Sequence, residues 1–333
     1  MIAANERPIL GDQNNKDWMA QLSEQLWDIP LYNLAIPGSH DTMSFCLDMN
    51  SPIDESMSGI LKVVDRIIPC VTRPMIFKWS RTQEDSIVAQ LEAGIRYFDL
   101  RIARKKNDTS NNLYFVHGVY TFMTVQKALE DFAQWLETHP KEAVILACSH
   151  FEGLTEDLHN HLIWSLKNIF GSKLCPNMEI VTLRNLWKLG YQVIVSYDDP
   201  AAEKHEDLWS GIPYWWANRV DPEMLVEYLE YKKQRGRPGG FFVAGLNLTA
   251  ETEYIISHLS ESLKKLTLQS YPYLMNWVQK QSPGPGKQCL NIIAGDFIRS
   301  EHFVSDIIAL NKKLLRTNAG IHKHLLSIPP YLK

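Results

Sequence analysis

The sequence predicts a single-domain α/β barrel of the (β/α)8 type, and three observations carry that reading. Short apolar runs alternate with amphipathic, helix-length stretches almost from end to end, the signature of parallel strands joined by crossover helices. Eight such runs can be counted, the number an eight-stranded barrel needs. The chain has 333 residues, enough for one such barrel, usually about 250 residues, plus an insertion. An open doubly wound sheet is the alternative, disfavoured because no Gly-x-Gly-x-x-Gly turn follows an early strand.

The first strand is read at LYNLAI (31–36), with Pro37 and Gly38 breaking it before a polar stretch that starts at Ser39. IRYFDLRI (95–102), LYFVH (113–117), AVILAC (143–148) and QVIVSY (192–197) follow, then the weaker PYWWAN (213–218), FFVAGL (241–246) and LNIIAGDF (290–297). Between them, 124–140 carries apolar residues at 125, 128, 129, 132, 133 and 136, a stripe of helical period. Stretches 154–170, 221–234 and 303–315 behave alike, and Asp221-Pro222 is a good helix start. Residues 47–81 fit neither pattern. They form a long connection near the mouth, read either as an extra helix packed on the barrel or as a lid or membrane-touching element. SPGPGK (282–287) is a loop.

Composition narrows the partners. The formal charge is −4, whereas a nucleic-acid binder normally carries a basic excess, so no nucleic acid is expected. Cys46, Cys70, Cys148, Cys175 and Cys289 are scattered and odd in number, without a Cys-x-x-Cys pair. That disfavours a disulfide framework or a zinc site and suits reduced thiols. The first residues lack the apolar stretch of a signal peptide, and no run reaches the ~18 apolar residues needed to span a bilayer. The expectation is a cytoplasmic protein whose contact with lipid, if it has one, is peripheral.

In barrels of this class the active site lies at the C-terminal ends of the strands. There the sequence delivers His40 and Asp41, then Asp99 and Arg101 inside an apolar run, then His117. Ser149, His150 and Glu152 end the fourth strand, Tyr197 the fifth, Asn247 the seventh and Asp296 the eighth. A barrel gathers these into one pocket. Two histidines flanking an arginine suit phosphoryl transfer without a metal. One imidazole takes the proton of an attacking hydroxyl, and the other, as imidazolium, protonates the leaving oxygen. The guanidinium offers a fork of donors to the phosphate, and carboxylates behind the histidines fix their tautomers.

"IPGSHDT" (36–42), "GIRYFDLRI" (94–102), "FVHG" (115–118) and "AGDF" (294–297), in that order, resemble the X domain of phosphatidylinositol-specific phospholipase C, most closely the group whose members carry only this domain. The resemblance runs from about Trp18 to Leu315, leaving an N-terminal segment (1–17) and a C-terminal tail (316–333) outside it. It implies a distorted barrel and cleavage of the glycerol–phosphate bond of an inositol phospholipid at a membrane surface. Carried over by motif, His40 resembles the base that deprotonates the inositol 2-hydroxyl and His117 the acid that protonates the diacylglycerol oxygen. Asp296 would orient His40, Asp41 support His117, Asp99 hold the site together and Arg101 bind phosphate. Ser149, Glu152, Tyr197 and Asn247 are the candidates for substrate contact.

Two departures matter. Calcium-dependent relatives carry acids where this chain has Arg101 and Ser149, so neither calcium nor any other cofactor is expected. Metal-free bacterial relatives have an arginine at the first position but a lysine at the second. Ser149 therefore leaves one contact of that family unfilled, and a weakly active lipid-binding regulator is the alternative reading.

Overall fold

The computed structural model describes residues 15–315 apart from positions 56, 107 and 179. The tail at 316–333 and most of the segment at 1–17 lie outside the described residues. Nine strands are described: β1 (Ile36–Ser39), β2 (Tyr97–Ala103), β3 (Tyr114–His117), β4 (Val119–Thr124), β5 (Val144–Glu152), β6 (Val193–Tyr197), β7 (Tyr214–Trp215), β8 (Val243–Gly245) and β9 (Ile292–Gly295). The helices are α1 (Gly59–Ile67), α2 (Pro69–Ser80), α3 (Ile87–Ala93), α4 (Val125–Thr138), α5 (Glu156–Phe170), α6 (Leu183–Leu189), α7 (Pro222–Arg235), α8 (Thr252–Ser257), α9 (Leu263–Lys280) and α10 (Phe303–Leu310).

The parallel strands run in the spatial order β6-β5-β2-β1-β9-β8-β7. Among the described residues no ladder joins β6 to β7; isolated bridges from Val193 to Leu174 and from Ser196 to Trp209 lie at that edge. The architecture is thus a barrel distorted by an incomplete seam. Two expectations are corrected here. The run 113–117 is not a barrel stave: β3 pairs antiparallel with the end of β2 and forms a hairpin with β4. Its apolar residues are buried one by one: Phe115 enters the main core and Val116 packs on Ala103 and Tyr120. The first strand also sits later than expected, and residues 31–33 form a 3-10 turn. Pro37 and Gly38 lie inside β1, paired with Ile293 and Ala294. Pro37 needs no N–H there, since the pairing with β2 begins only at Gly38; its carbonyl accepts from Arg96 N at 3.0 Å. Gly38 is required sterically: a Cβ would meet the Tyr97 ring at 2.9 Å.

Strand alternation sorts the core into two shells, because successive side chains point to opposite faces. Phe98, Leu100 and Ile102, with Val144, Leu146 and Cys148 and with Val193, Val195 and Tyr197, pack outward under the helices. Ile36, Tyr97, Ile145, Ala147, Ile194, Val243, Ile292 and Ala294 fill the barrel interior. The helices obey their sequence signals: Thr124 and Thr155 cap α4 and α5 through their hydroxyls. Asp221 caps α7, with Pro222 at its first position. The insertion contains two helices, α1 and α2. Below the barrel, Trp18 donates to the Gly94 carbonyl at 2.9 Å and a buried Arg96–Glu142 pair at 2.8 Å holds the segment around Met19.

Candidate active site

The interior face of each strand predicts what reaches the mouth. Continuing the alternation from Ile36 and Gly38 gives His40; from Tyr97 it gives Asp99 and Arg101; from Val243 and Gly245, Asn247; from Ile292 and Ala294, Asp296. Asp41 would point the opposite way from His40 if the strand continued. It instead takes a left-handed conformation, φ 41° and ψ 54°, which costs a non-glycine residue roughly 1–2 kcal/mol. Its N–H donates to Asp99 Oδ2 at 3.0 Å, which helps hold the turn. The turn brings the Asp41 carboxylate back into the mouth.

There Asp41 is the electrostatic hub. Oδ1 lies 2.7 Å from Arg101 Nε, and Oδ2 lies 3.2 Å from His117 Nε2 and 3.3 Å from His40 Nε2. Burial alone would raise its pKa, but Arg101 and the surrounding histidines prevail and hold the carboxyl below the usual carboxylate range. Arg101 experiences the converse. Burial disfavours its charge, yet Asp41 and Asp99 raise its pKa, so the guanidinium stays charged.

The two histidines have different hydrogen-bond surroundings. His40 Nδ1 faces Asp296 Oδ1 at 2.7 Å, so it carries the proton. Its Nε2 faces the Arg101 guanidinium at 3.0 Å and the Asn247 amide at 3.4 Å, both donors, with the Asp41 carboxylate beside them at 3.3 Å. Because the shorter Asp296 contact holds the proton on Nδ1, the neutral ring keeps its lone pair on Nε2. Burial lowers the pKa of His40, but Asp41 and Asp296 outweigh it and the net shift is upward, as suits a base. His117 Nδ1 donates to the Ser80 carbonyl at 2.6 Å, and its Nε2 faces the Asp41 carboxylate. Both nitrogens thus meet acceptors, which only a doubly protonated ring satisfies at once. The ring centroids stand 6.2 Å apart. His117 is fixed by the hairpin: Gly118 has φ 75°, and a Cβ there would collide with Ser80 at the end of α2.

The structure does not bring every candidate together. His40, Asp41, Asp99, Arg101, His117, Asn247 and Asp296 converge. Ser149 sits opposite Arg101 in the β2–β5 register. Tyr197 does not reach the pocket. It shares the outward face with Val193 and Val195, stacks on Phe151 and bonds His159 Nδ1 through its hydroxyl at 2.7 Å. Glu152 turns to a separate cluster, accepting from Tyr120 at 2.7 Å. Sequence reasoning missed Tyr214, which faces inward on β7 and donates to Asn247 Oδ1 at 2.7 Å, thereby aiming the Asn247 amide at His40. Strand parity at PYWWAN could have found it. It also missed Gln83, whose amide donates at 2.9 Å to the carbonyls of both His40 and Gly295, clamping β1 to β9. No sequence pattern marks that residue.

The rim carries apolar surface. Ile60, Val63, Val64, Ile67, Ile68 and Val71 of the α1–α2 segment are exposed, Ile67 to 71%. Trp216 is 50% exposed, whereas Trp215 is buried against Phe242. Among the described residues no helix is long and apolar enough to cross a membrane.

The incomplete parallel barrel has the fold of the bacterial phosphatidylinositol-specific phospholipases C. The Listeria monocytogenes enzyme aligns with a TM-score of 0.63 at 20% identity, over 90% of this chain and 99% of that one. A mutant of the Staphylococcus aureus enzyme aligns equally well, at 16% identity over the same shares. A family model described as Phosphatidylinositol-specific phospholipase C, X domain, matches residues 76–198. The curated PI-PLC X domain-containing protein 1 of Homo sapiens is 55% identical over 302 residues, 90% of this chain and 94% of that protein. PI-PLC X domain-containing protein 3 of Mus musculus is 39% identical, over 89% and 93%. The chain belongs to the family of PI-PLC X domain-containing proteins.

Proposed function

We propose that this protein is a metal-free phosphodiesterase that cleaves phosphatidylinositol to diacylglycerol and an inositol phosphate. The observation that carries the reading is the different wiring of two histidines that share the Asp41 carboxylate: His40 Nε2 has two donors beside that carboxylate, whereas both nitrogens of His117 face acceptors. His40 Nε2 takes the proton of the inositol 2-hydroxyl, whose oxygen attacks phosphorus. The bond from phosphorus to the glycerol oxygen breaks, and that oxygen takes the proton of His117 Nε2. Diacylglycerol leaves, and a cyclic inositol phosphodiester remains. Water then opens the ring with the roles reversed. Arg101 contacts His40 before substrate arrives; the substrate phosphate draws the guanidinium toward itself and frees the base. Asp296 keeps His40 in the right tautomer, Asp41 stabilises protonated His117, and Asn247 helps place the attacking hydroxyl.

Calcium is not part of this proposal. His40, Asp41 and Asp99 lie close enough to share a cation, but Arg101 is already paired with both carboxylates. A calcium ion wants six to eight oxygens, and a fixed positive charge in their midst repels it. We further propose that the exposed apolar face of α1–α2 and Trp216 meet the bilayer, since α2 ends at Ser80 beside His117 and aromatic side chains favour the interface. The five free thiols suit a reducing cytoplasmic compartment. Ser149 favours a second reading, a lipid-binding regulator with little turnover, because it offers no charge where Arg101 faces it. The test is phosphorus NMR on phosphatidylinositol vesicles in excess EGTA. Our reading expects a cyclic phosphodiester signal that precedes the monoester; vesicle binding without either product selects the second.

A further inference from the structure

Outside the site just described, Asp54, His150 and Glu152 present ligand atoms that all lie within 4.8 Å of one another. We propose that they form a rim site for a divalent transition cation of the zinc class. They come from two places: Asp54 from the connection that leads to α1, His150 and Glu152 from the end of β5. His150 and Phe151 both take left-handed conformations, φ 75° and 53°, at a bulge opposite Ile102 and Ala103, and that turn of the chain brings the imidazole and the Glu152 carboxylate together. His150 Nε2 stands 3.6 Å from Glu152 Oε2. Ligand bonds of 2.0–2.1 Å in tetrahedral geometry place donor atoms roughly 3.3 Å apart, so a modest contraction suffices.

The remaining lone pairs are arranged to suit this. The Tyr120 hydroxyl at 2.7 Å and the Glu55 N–H at 3.4 Å both donate to Glu152 Oε1, leaving Oε2 to face the imidazole. Such outer hydrogen bonds are how metal ligands are commonly oriented. Asp54 is 96% removed from solvent by its 4% exposure, and its carboxyl lies within hydrogen-bonding reach of that of Glu152. Two packed carboxyl groups need a proton or a cation between them. Solvent reaches the site past His150, whose side chain is 30% exposed. One imidazole and two carboxylates make three protein ligands with a fourth position open, a donor set that favours zinc-class ions over calcium.

The site has a consequence for the mouth. Asp54 N donates to the Gly118 carbonyl at 2.9 Å, next to His117. A cation fastening Asp54 to β5 would therefore also fasten the connection before α1 against the histidine's turn. The inference stands apart from the proposed catalysis and does not need it.

The experiment is titration of the chelator-stripped full chain with Co2+, read by its visible ligand-field absorption, with Zn2+ and Ca2+ as competitors. One equivalent is expected to bind, to be displaced by Zn2+ and not by Ca2+, and to raise the melting temperature. His150→Ala, at an exposed position, and Glu152→Gln, which keeps the Tyr120 contact, should each weaken binding at least tenfold. Circular dichroism checks their folding, and His150→Ala alone suffices if Glu152→Gln unfolds. Absence of the absorption at saturating Co2+, unchanged affinity in His150→Ala, or displacement by equimolar Ca2+ overturns the proposal.

Discussion

Replacing Asp296 with asparagine should disable His40 while leaving the barrel standing. Asp296 Oδ1 accepts from His40 Nδ1 at 2.7 Å, and that contact puts the ring's lone pair on Nε2. An asparagine amide turned toward Nδ1 donates where the carboxylate accepted, so the proton moves to Nε2 and the base is lost. In a serine protease triad the same exchange costs about 10⁴ in kcat through the wrong tautomer; a general base alone is worth ~10²–10⁴. The expected fall here is about 10³. Asparagine keeps the shape; with its amide toward Nδ1 its oxygen takes the place of Asp296 Oδ2, which has no hydrogen-bond partner, and the second amide N–H is buried, a stability cost of about 1–3 kcal/mol. The pH profile supplies a second readout. Asp41 and Asp296 raise His40 above 6.5, and His40 acts only when neutral. The acid limb of kcat/KM should therefore lie above pH 6.5 in the wild type and move to lower pH in Asp296→Asn, where one of the carboxylates holding the proton is gone. The assay is initial-rate hydrolysis of a water-soluble inositol phosphodiester from pH 5 to 9. A variant that keeps more than a tenth of the rate, or an unmoved limb, refutes the assignment of Asp296 to His40.

Three further outcomes follow from the same geometry. Arg101→Lys should lose roughly ten- to a hundredfold in kcat/KM, the worth of charge-assisted hydrogen bonds of about 1.5–3 kcal/mol, while the wild type keeps most of its rate in excess EGTA; restoration by calcium after EGTA would contradict this. Ile60→Ser with Ile67→Ser should weaken binding to phosphatidylinositol vesicles at least tenfold, since each buried isoleucine side chain is worth about 1.5–3 kcal/mol, and should leave hydrolysis of the water-soluble substrate unchanged. Equal losses on both substrates would mean damage to the pocket. Tyr214→Phe removes the hydroxyl that aims Asn247 and should lower kcat about two- to tenfold at unaltered fold, the range of one neutral hydrogen bond; wild-type kcat would remove Tyr214 from the site.

The barrel was legible because its signal is periodic. Strand runs and helix stripes recur along the chain, and Asp99 and Arg101 stand out as charges inside an apolar strand. Strand ends were less legible. Pro37 and Gly38 look like breakers, but in β1 one needs no donor and the other makes room for Tyr97. The hairpin at β3–β4 was misjudged because an apolar run says nothing about the direction of its partner. Tyr197 and Trp215 show a subtler limit. Both sit at strand ends, but parity turns them outward, Tyr197 to His159 and Trp215 to Phe242. Counting parity from Ile194 would have excluded Tyr197. Gln83 and the Ser80 carbonyl act through long-range backbone contacts and leave no mark in the sequence.

The central claim is that two histidines, without calcium, divide the proton transfers of phosphodiester cleavage. The most direct measurement is turnover of phosphatidylinositol vesicles in excess EGTA by wild type, His40→Ala and His117→Ala, each with its fold verified by circular dichroism. The account expects diacylglycerol release by the wild type and a loss of at least a hundredfold in each variant. A wild-type rate no higher than that of His40→Ala, or either variant within tenfold of an active wild type, would contradict it.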